Sequence, residues 1–387
     1  MEASMVEPFC DLPVIDCHIH YGNPSFMNGL IDILEVNKIR KCNIVCTPHE
    51  TRLSLVPDAL HLKAHYPERV YVFGGLDISA LFMFPETCGA YFANYVDSLM
   101  EMGCDGVKMI EGKPDMRKRL PIPAFDGAAY APYWSKLEEI GLPILFHVND
   151  PEEFWDANQV PGWAKQQGWF YGDGSYINNE TQYGEVLHVL KRHPGLKVIF
   201  AHFFFLSNQL ERLASYLDEF SNMHIDLTPG IEMYHNFSRN HETVRDFFIK
   251  YQDRILFGTD IGAKALLATT GESIAPEESK MRVDLVRSFL EKEGIFQLDT
   301  EKVSLFGKFA GGFQGINLPK EVLNKIYLRN FEKLAGEKPR PIKAKAITQE
   351  CQRLIGIIPI MGAARPGQVG DTTIAEMVMK YFEGGLN

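Results

Sequence analysis

The chain has 387 residues, of which 45% are hydrophobic and 23% are charged, a balance typical of soluble globular proteins. This composition excludes a disordered chain, and the lack of any 18-residue apolar run in the sequence excludes a membrane-spanning helix. The formal net charge of −11 argues against nucleic acid or an anionic membrane as a partner, because both need a cationic face.

The N-terminal residues and the cysteines favour a cytoplasmic protein. Residues 1–12 carry acidic side chains and no basic one, so we expect no signal or transit peptide. The seven cysteines are odd in number and scattered along the chain. This pattern favours buried thiols in a reducing compartment over a disulfide framework.

A short apolar run followed by an amphipathic helix recurs eight times along the chain. Most of the runs are continuous rather than alternating, as expected for strands that are buried on both faces. The runs are Val14–His20, Cys42–Thr47, Val70–Leu76, Gly106–Ile110, Pro143–Val148, Lys197–His202, Met223–Leu227 and Arg254–Thr259. Apolar spacings of three and four predict helices between them, among them Pro57–Tyr66, Tyr133–Ile140, Glu185–Leu190 and Gln209–Phe220.

Eight strand–helix pairs predict an α/β fold of the (β/α)8 TIM-barrel type. The alternative is an open doubly wound sheet, which normally carries a glycine-rich turn after an early strand, and no such turn is present. A final helix over Leu318–Leu334 is expected to close the barrel. We therefore expect a barrel domain over residues 12–337 and a C-terminal extension over residues 338–387, which packs on the barrel or on a second subunit of a homodimer.

The active site of a TIM barrel lies at the C-terminal ends of its strands, and this rule sorts the twelve histidines. His18 and His20 end the first predicted strand, His147 ends the fifth and His202 ends the sixth. Asp260 ends the eighth. Because side chains alternate along a strand, His18 and His20 share one face, where two imidazoles suit a divalent metal better than a core.

These strand ends resemble the motifs of the amidohydrolase superfamily. The matching segments are Val14–His20, Phe146-His147, Ala201-His202, Phe257–Asp260 and the helix Ile326–Gly336, so the resemblance spans about residues 12–336. The branch that the chain resembles most is the amidohydrolase-related group that includes aminocarboxymuconate-semialdehyde decarboxylase, lactonases and hydratases. The motif set is specific for the superfamily and weak for any one reaction.

The resemblance implies one divalent metal ion. It assigns four ligands to this metal, which are His18, His20, His147 and Asp260. It makes His202 the acid/base residue beside the metal-bound water, and Asp260 a second acceptor for the proton of that water. Imidazole and carboxylate ligands suit zinc first, with manganese or iron as alternatives.

Lys108 ends the fourth strand, where binuclear members of the superfamily carry a carboxylated lysine. If Lys108 were modified in this way, His147 and His202 would hold a second metal. The alternatives are an unmodified cation that binds a substrate carboxylate, or a charge at the barrel rim.

Three more side chains are candidates for binding a small carboxylated substrate. Tyr234 and Arg239 follow the seventh strand, and Tyr176 belongs to the long connection after the fifth. An arginine is suited to a carboxylate because its guanidinium forms paired hydrogen bonds. The alternative for Arg239 is a solvated surface position, and for Tyr234 it is packing.

Three functions remain open for this set of residues. The first is hydrolysis of a lactone, amide or related bond by metal-activated water, and the second is non-oxidative decarboxylation of an unsaturated or aromatic acid. The third is a non-catalytic binding barrel, against which the intact residue set argues. Some decarboxylases of the branch carry variants of the first motif, so the intact His18-X-His20 favours hydrolysis.

The longest predicted connection, Asn149–Tyr183, holds three of the four tryptophans: Trp155, Trp163 and Trp169. A connection of this length is usually functional or disordered, and its aromatic content excludes disorder. It leaves the barrel directly after His147, so we expect it to cover the site and line the substrate pocket. The alternative is a subunit interface, where Trp and Tyr are also enriched.

Overall fold

The structure is a computed structural model that describes residues 9–230, 232–262, 276–298, 312–363 and 370–384. Its centre is a sheet of nine parallel strands, joined in the order β8-β7-β6-β5-β4-β3-β2-β1-β9. The strands are β1 (Val14–His20), β2 (Ile39–Val45), β3 (Val70–Gly75), β4 (Gly106–Gly112), β5 (Pro143–Val148), β6 (Lys197–Phe200), β7 (Met223–Asp226), β8 (Ile255–Leu256) and β9 (Ile261–Gly262). The bounds of β1 and β5 are those predicted.

The sheet closes on itself at the predicted eighth strand. There β8 pairs with β7, whereas β9, the next strand along the chain, pairs with β1. The predicted strand Arg254–Thr259 is broken because buried Asp16 binds the amide and the hydroxyl of Thr259, at 3.2 and 2.5 Å. The predicted (β/α)8 TIM barrel of the α/β class is confirmed.

Helices follow the strands along the chain and pack outside the barrel. They are α1 (Met27–Val36), α2 (Val56–His65), α3 (Ser79–Met83), α4 (Cys88–Met102), α5 (Pro114–Arg119), α6 (Ala131–Ile140), α7 (Gly162–Gln166), α8 (Asn179–Arg192), α9 (Leu210–Glu219), α10 (Met233–Arg239), α11 (His241–Lys250), α12 (Pro276–Glu291), α13 (Lys320–Asn324), α14 (Asn330–Ala335), α15 (Ala344–Ala363) and α16 (Thr373–Glu383). A π-helical turn, Lys325–Arg329, joins α13 to α14. Two antiparallel pairs of strands lie outside the barrel sheet. They are Pro48–His49 with Leu53–Ser54, and Glu293–Phe296 with Phe313–Ile316.

The end of the barrel opposite the histidines is filled with apolar side chains. Leu328, Phe331 and Leu334 of the last barrel helix pack against strand residues that precede the histidines. Phe331 stacks on Phe73 and meets Tyr71 edge-on, with ring centroids 6.0 and 5.0 Å apart. This plug leaves the C-terminal strand ends to polar side chains.

The C-terminal residues contribute α15 and α16, which contact the barrel. Tyr95 of α4 donates a hydrogen bond to Glu350 at 2.9 Å, and Arg353 pairs with Asp77 after β3 at 2.7 Å. The division of the chain at residue 338 stays a prediction. Among the described residues, no helix combines the length and the apolar character needed to cross a membrane.

Candidate metal centre and active site

Three side chains converge where β1 and the predicted eighth strand end. Ligand atoms of His18, His20 and Asp260 lie within 4.8 Å of one another, the one such group in the described part of the chain. His20 Nε2 is 3.0 Å from Asp260 Oδ1, and His18 Nε2 is 3.7 Å from the same oxygen. Two imidazoles and a carboxylate form a nitrogen and oxygen donor set that suits a divalent metal.

Asp226, the last residue of β7, holds His18 in one tautomer. Its Oδ2 lies 2.8 Å from His18 Nδ1, and because a carboxylate only accepts, Nδ1 carries the proton and Nε2 carries the lone pair. Burial raises the pKa of Asp226, while donors from His202 and Thr228 stabilise the carboxylate. A carboxylate behind a histidine in this way fixes the ring of a metal ligand.

His202 lies in a left-handed turn that ends β6 before the predicted strand end. The four residues His202–Phe205 have φ between +54° and +57°, a conformation that residues with a Cβ rarely adopt. The turn forms because His202 N donates to Asp226 Oδ1 at 2.8 Å instead of continuing the ladder. Backbone in this region is typical of functional sites, where surrounding contacts hold it in place.

The ring of His202 is also fixed in one tautomer. Its Nδ1 lies 3.3 Å from the carbonyl oxygen of Thr228, so Nδ1 donates and Nε2 has the free lone pair. The ring centroid is 5.7 Å from that of His18 and 5.0 Å from that of His147. His202 therefore lies between the β1 histidines and the β5 histidine.

His147 lies beside the three-residue group and is not part of it. Its Nε2 is 3.3 Å from Asp150 Oδ1, so Nε2 carries the proton and Nδ1 keeps the free lone pair. Burial raises the pKa of Asp150, but the charge of Lys113 and the bond to His147 outweigh it and hold that pKa below its usual range. The predicted ligand thus has a fixed ring and one free nitrogen.

The pKa values of Asp260 and His202 are both lowered, for different reasons. Burial raises the pKa of Asp260, but the hydrogen bond from His20 and the charges of His20, His18 and Arg282 hold it well below its usual range. Burial and the neighbouring His147 lower the pKa of His202 to about 3. At neutral pH the site therefore pairs an ionised carboxylate with a neutral imidazole.

Lys108 lies inside the barrel next to His18. Its Nζ is 3.2 Å from His18 Nε2, and the residue is 2% exposed. Burial lowers the pKa of Lys108 to about 8, so the amine gives up its proton more readily than a surface lysine. His18 Nε2 is also the nitrogen that a metal would bind, so this contact and metal binding at His18 exclude each other.

The other predicted substrate-binding residues already have partners in the fold. Tyr234 is 1% exposed and donates to Leu227 O at 2.8 Å. Arg239 is exposed, with one guanidinium nitrogen 3.5 Å from Asn236 Oδ1. The centroid of the Tyr176 ring lies 3.8 Å from Lys118 Nζ. Contact of these side chains with substrate stays a prediction.

The residues that orient the histidines were not predicted from the sequence. Asp226 is the second-last residue of the predicted strand Met223–Leu227, and Asp150 lies two residues after Pro143–Val148, so the rule that identified Asp260 also pointed to them. Arg282 lies 3.3 Å from Asp260 Oδ2 but belongs to α12, and no local pattern marks that contact. Only the tertiary structure places it there.

Residues 151–178, here called the aromatic segment, leave the barrel shortly after β5. The segment contains a 3-10 turn, Glu152–Trp155, and the short helix α7. Its aromatic rings pack on one another around a small apolar cluster of its own, formed by Phe154, Val160, Ala164 and Tyr171. Tyr171 Oη donates to Asp150 Oδ2 at 2.6 Å, so the segment is attached next to His147. Its role as a lid stays a prediction.

Comparison with known proteins points to one family. A family model for amidohydrolases matches residues 79–334. A candidate amidohydrolase from Staphylococcus aureus has a similar fold, with a TM-score of 0.53 and 17% identity over 84% of this chain and 100% of that chain. An uncharacterised TIM-barrel protein from Bordetella bronchiseptica has a TM-score of 0.50 and 12% identity, over 84% and 99% of the two chains.

A variant of 5-carboxyvanillate decarboxylase from Novosphingobium aromaticivorans, solved with bound manganese, is similar as well. Its TM-score is 0.50 at 11% identity, over 84% of this chain and 97% of that chain. No curated protein sequence matches the chain significantly. The family model covers more than half of the chain and includes His147, His202 and Asp260. The resemblance seen in the sequence is confirmed, and the chain belongs to the amidohydrolase family.

Proposed function

We propose that the protein is a metal-dependent hydrolase that cleaves a lactone, amide or related bond of a small carboxylated substrate. The observation that carries this proposal is the convergence of His18, His20 and Asp260, with His147 and His202 adjacent. Membership of the amidohydrolase family supports an enzyme.

Four residues would hold the metal: His18, His20, His147 and Asp260. Their chemistry fits, because His18 and His147 each have one nitrogen held by a carboxylate, which leaves the lone pair of the other nitrogen for a metal. At His18 that metal would replace Lys108. We propose one zinc ion, with manganese or iron as alternatives, and a protein of similar fold was solved with manganese. A divalent metal at this position supplies Lewis acidity, which activates water and polarises a substrate oxygen.

The residues of the chain supply the proton transfers. Asp260 is ionised because His20, His18 and Arg282 stabilise its charge, so it is ready to accept the proton of the attacking water. His202, neutral and fixed through Nδ1, holds Nε2 ready to accept a proton and pass it to the leaving group. Lys108, released from His18 by metal binding, is the partner that we propose for a substrate carboxylate.

The second candidate is non-oxidative decarboxylation on the same residues. The observation that favours it is the buried Lys108 beside His18, which places a cation for a carboxylate next to the metal ligands. One protein of similar fold is a 5-carboxyvanillate decarboxylase. The intact His18-X-His20 motif favours hydrolysis, and a carboxylated Lys108 with two metals remains an alternative for the centre.

Product analysis with the zinc-loaded protein tests the proposal. A panel of lactones, amides and carboxylated aromatic acids is incubated in oxygen-18 water, and the products are analysed for label and for carbon dioxide. We expect labelled product without carbon dioxide, abolished in His18→Ala and retained in His188→Ala, whose ring is exposed on α8. Carbon dioxide without label would support decarboxylation instead. Turnover that His18→Ala leaves unchanged would contradict catalysis at this site.

We also propose that the protein acts as a cytoplasmic homodimer on a small molecule, without nucleic acid or membrane partners. The net charge of −11 supports the last two points. Light scattering at several concentrations measures the dimer directly.

A further inference from the structure

The carboxylate of Asp150 joins three separate parts of the fold. Lys113, after β4, places Nζ 2.8 and 2.9 Å from its two oxygens. His147 of β5 donates to Oδ1 at 3.3 Å, and Tyr171 of the aromatic segment donates to Oδ2 at 2.6 Å. Asp150 is 5% exposed, so these side chains, rather than water, satisfy the carboxylate.

Two of these partners depend on the conformation of the aromatic segment. Tyr171 is 1% exposed, its amide donates to Phe154 O at 2.8 Å, and its ring lies 4.9 Å from that of Trp155. Lys113 Nζ lies 5.3 Å from the centroid of the Trp169 ring. A displacement of the segment would remove the shortest hydrogen bond of Asp150 and the aromatic face beside Lys113.

Asp150 in turn decides which nitrogen of His147 is free. Because it accepts from Nε2, it leaves the lone pair on Nδ1 and fixes the rotation of the ring. A hydrogen-bond chain therefore runs from the aromatic segment through Tyr171 and Asp150 to His147.

We propose that this chain couples the aromatic segment to the metal site, with Asp150 as a positioning residue for His147 and Tyr171 as the contact through which the segment acts. The conformation in which Tyr171 bonds to Asp150, here called closed, strengthens metal binding. Metal binding stabilises the closed segment by the same free energy, because thermodynamic coupling is reciprocal. The inference rests on the proposed metal function of His147.

Zinc affinity and tryptophan fluorescence of the metal-free protein test the coupling without any substrate. Tyr171→Phe removes one hydroxyl and keeps the ring, and we expect zinc affinity, measured against a chelating dye, to fall about 3- to 10-fold. Asp150→Asn should lower it about 10- to 100-fold, the usual effect of losing the partner of a ligating histidine. Zinc should also change the emission of the wild-type protein, because three of its four tryptophans lie in the segment, and Tyr171→Phe should reduce that change.

Trp163→Phe is the matched control. Trp163 belongs to the same segment, is 37% exposed and packs on Phe154 and Trp169, so its replacement should leave zinc affinity unchanged. Equal zinc affinity in wild type, Tyr171→Phe and Asp150→Asn would overturn the coupling while the proposed function stands. An unchanged emission on zinc binding to the wild type would also overturn it. A wild-type protein that binds no zinc, manganese or iron would instead overturn the metal site itself.

Discussion

Two clusters of buried charge in this barrel are built differently. Asp105, before β4, accepts from Lys63 Nζ at 2.6 Å. It also accepts from the amides of Val72 and Arg340, at 2.8 and 2.6 Å. Lys63 donates in addition to Gly103 O at 2.7 Å. Each charge in this cluster is paired and hydrogen-bonded, and the cluster joins α2 to the chain that leads into α15.

At the C-terminal ends of the strands, the histidine side chains are only partly paired. His18, His147 and His202 each donate from one nitrogen to an oxygen of the fold, and the other nitrogen keeps its lone pair, which at His18 faces Lys108. Burying polar groups is costly unless they are satisfied, so complete pairing indicates structure and partial pairing indicates a place for a ligand. The comparison separates a charge cluster that stabilises the barrel from one that prepares it for chemistry.

Replacement of Asp105 should have the largest effect on stability. In Asp105→Ala, Lys63 is left buried without its partner, and breaking a buried pair in this way costs about 3–5 kcal/mol. Urea unfolding at pH 7 measures the loss, and turnover per folded molecule should stay within about twofold of wild type. A loss below about 1 kcal/mol would show that this cluster does not stabilise the fold.

Replacement of His202 should mainly affect turnover rather than stability. His202→Asn should lower turnover by ~100-fold or more, the usual size of an acid/base contribution, while zinc content is retained. Steady-state kinetics and metal analysis of the same preparation check both parts. If the variant loses metal, His202 is a ligand, and the binuclear alternative is favoured.

Glu111 of β4 is a third kind of buried charge, a carboxylate that forms no hydrogen-bonded ion pair within the described residues. It is 0% exposed, and within the described residues neither carboxylate oxygen has a hydrogen-bond partner. Burial raises the pKa of Glu111 to about 7. Because the folded pKa is raised, the stability that Glu111 contributes is complete below its unfolded pKa, near 4.5, and is lost as pH rises through about 7.

Glu111→Gln should remove that pH dependence. Between pH 5 and pH 7 the free energy of unfolding of the wild type should fall by about 2 kcal/mol relative to the variant. Urea unfolding of both proteins across this range provides the measurement. Parallel curves for the two proteins would contradict a raised pKa at Glu111.

The smallest expected effect is that of reducing agent. All seven cysteines are free thiols in the structure, and six of them are buried. Addition of a reductant should therefore leave the melting temperature unchanged. A decrease of several degrees would reveal a disulfide.

The features predicted best from the sequence are those that local sequence patterns determine, such as the strand bounds. The apolar runs Val14–His20 and Pro143–Val148 are strands with those bounds, because both are buried on each side. β6 ends before its predicted last residue because His202 itself adopts a left-handed backbone, for which glycine is the usual signal. Contacts between distant residues were not predictable, and Asp226 lies 208 positions from the His18 that it orients.

Metal content tests the central claim most directly. Wild-type, His202→Asn and His147→Ala proteins are loaded with zinc, desalted and analysed by mass spectrometry alongside protein concentration. The proposed centre predicts one zinc per chain in the wild type and in His202→Asn, and loss of zinc in His147→Ala. Two zinc ions per wild-type chain, or none, would contradict a mononuclear centre built on His18, His20, His147 and Asp260.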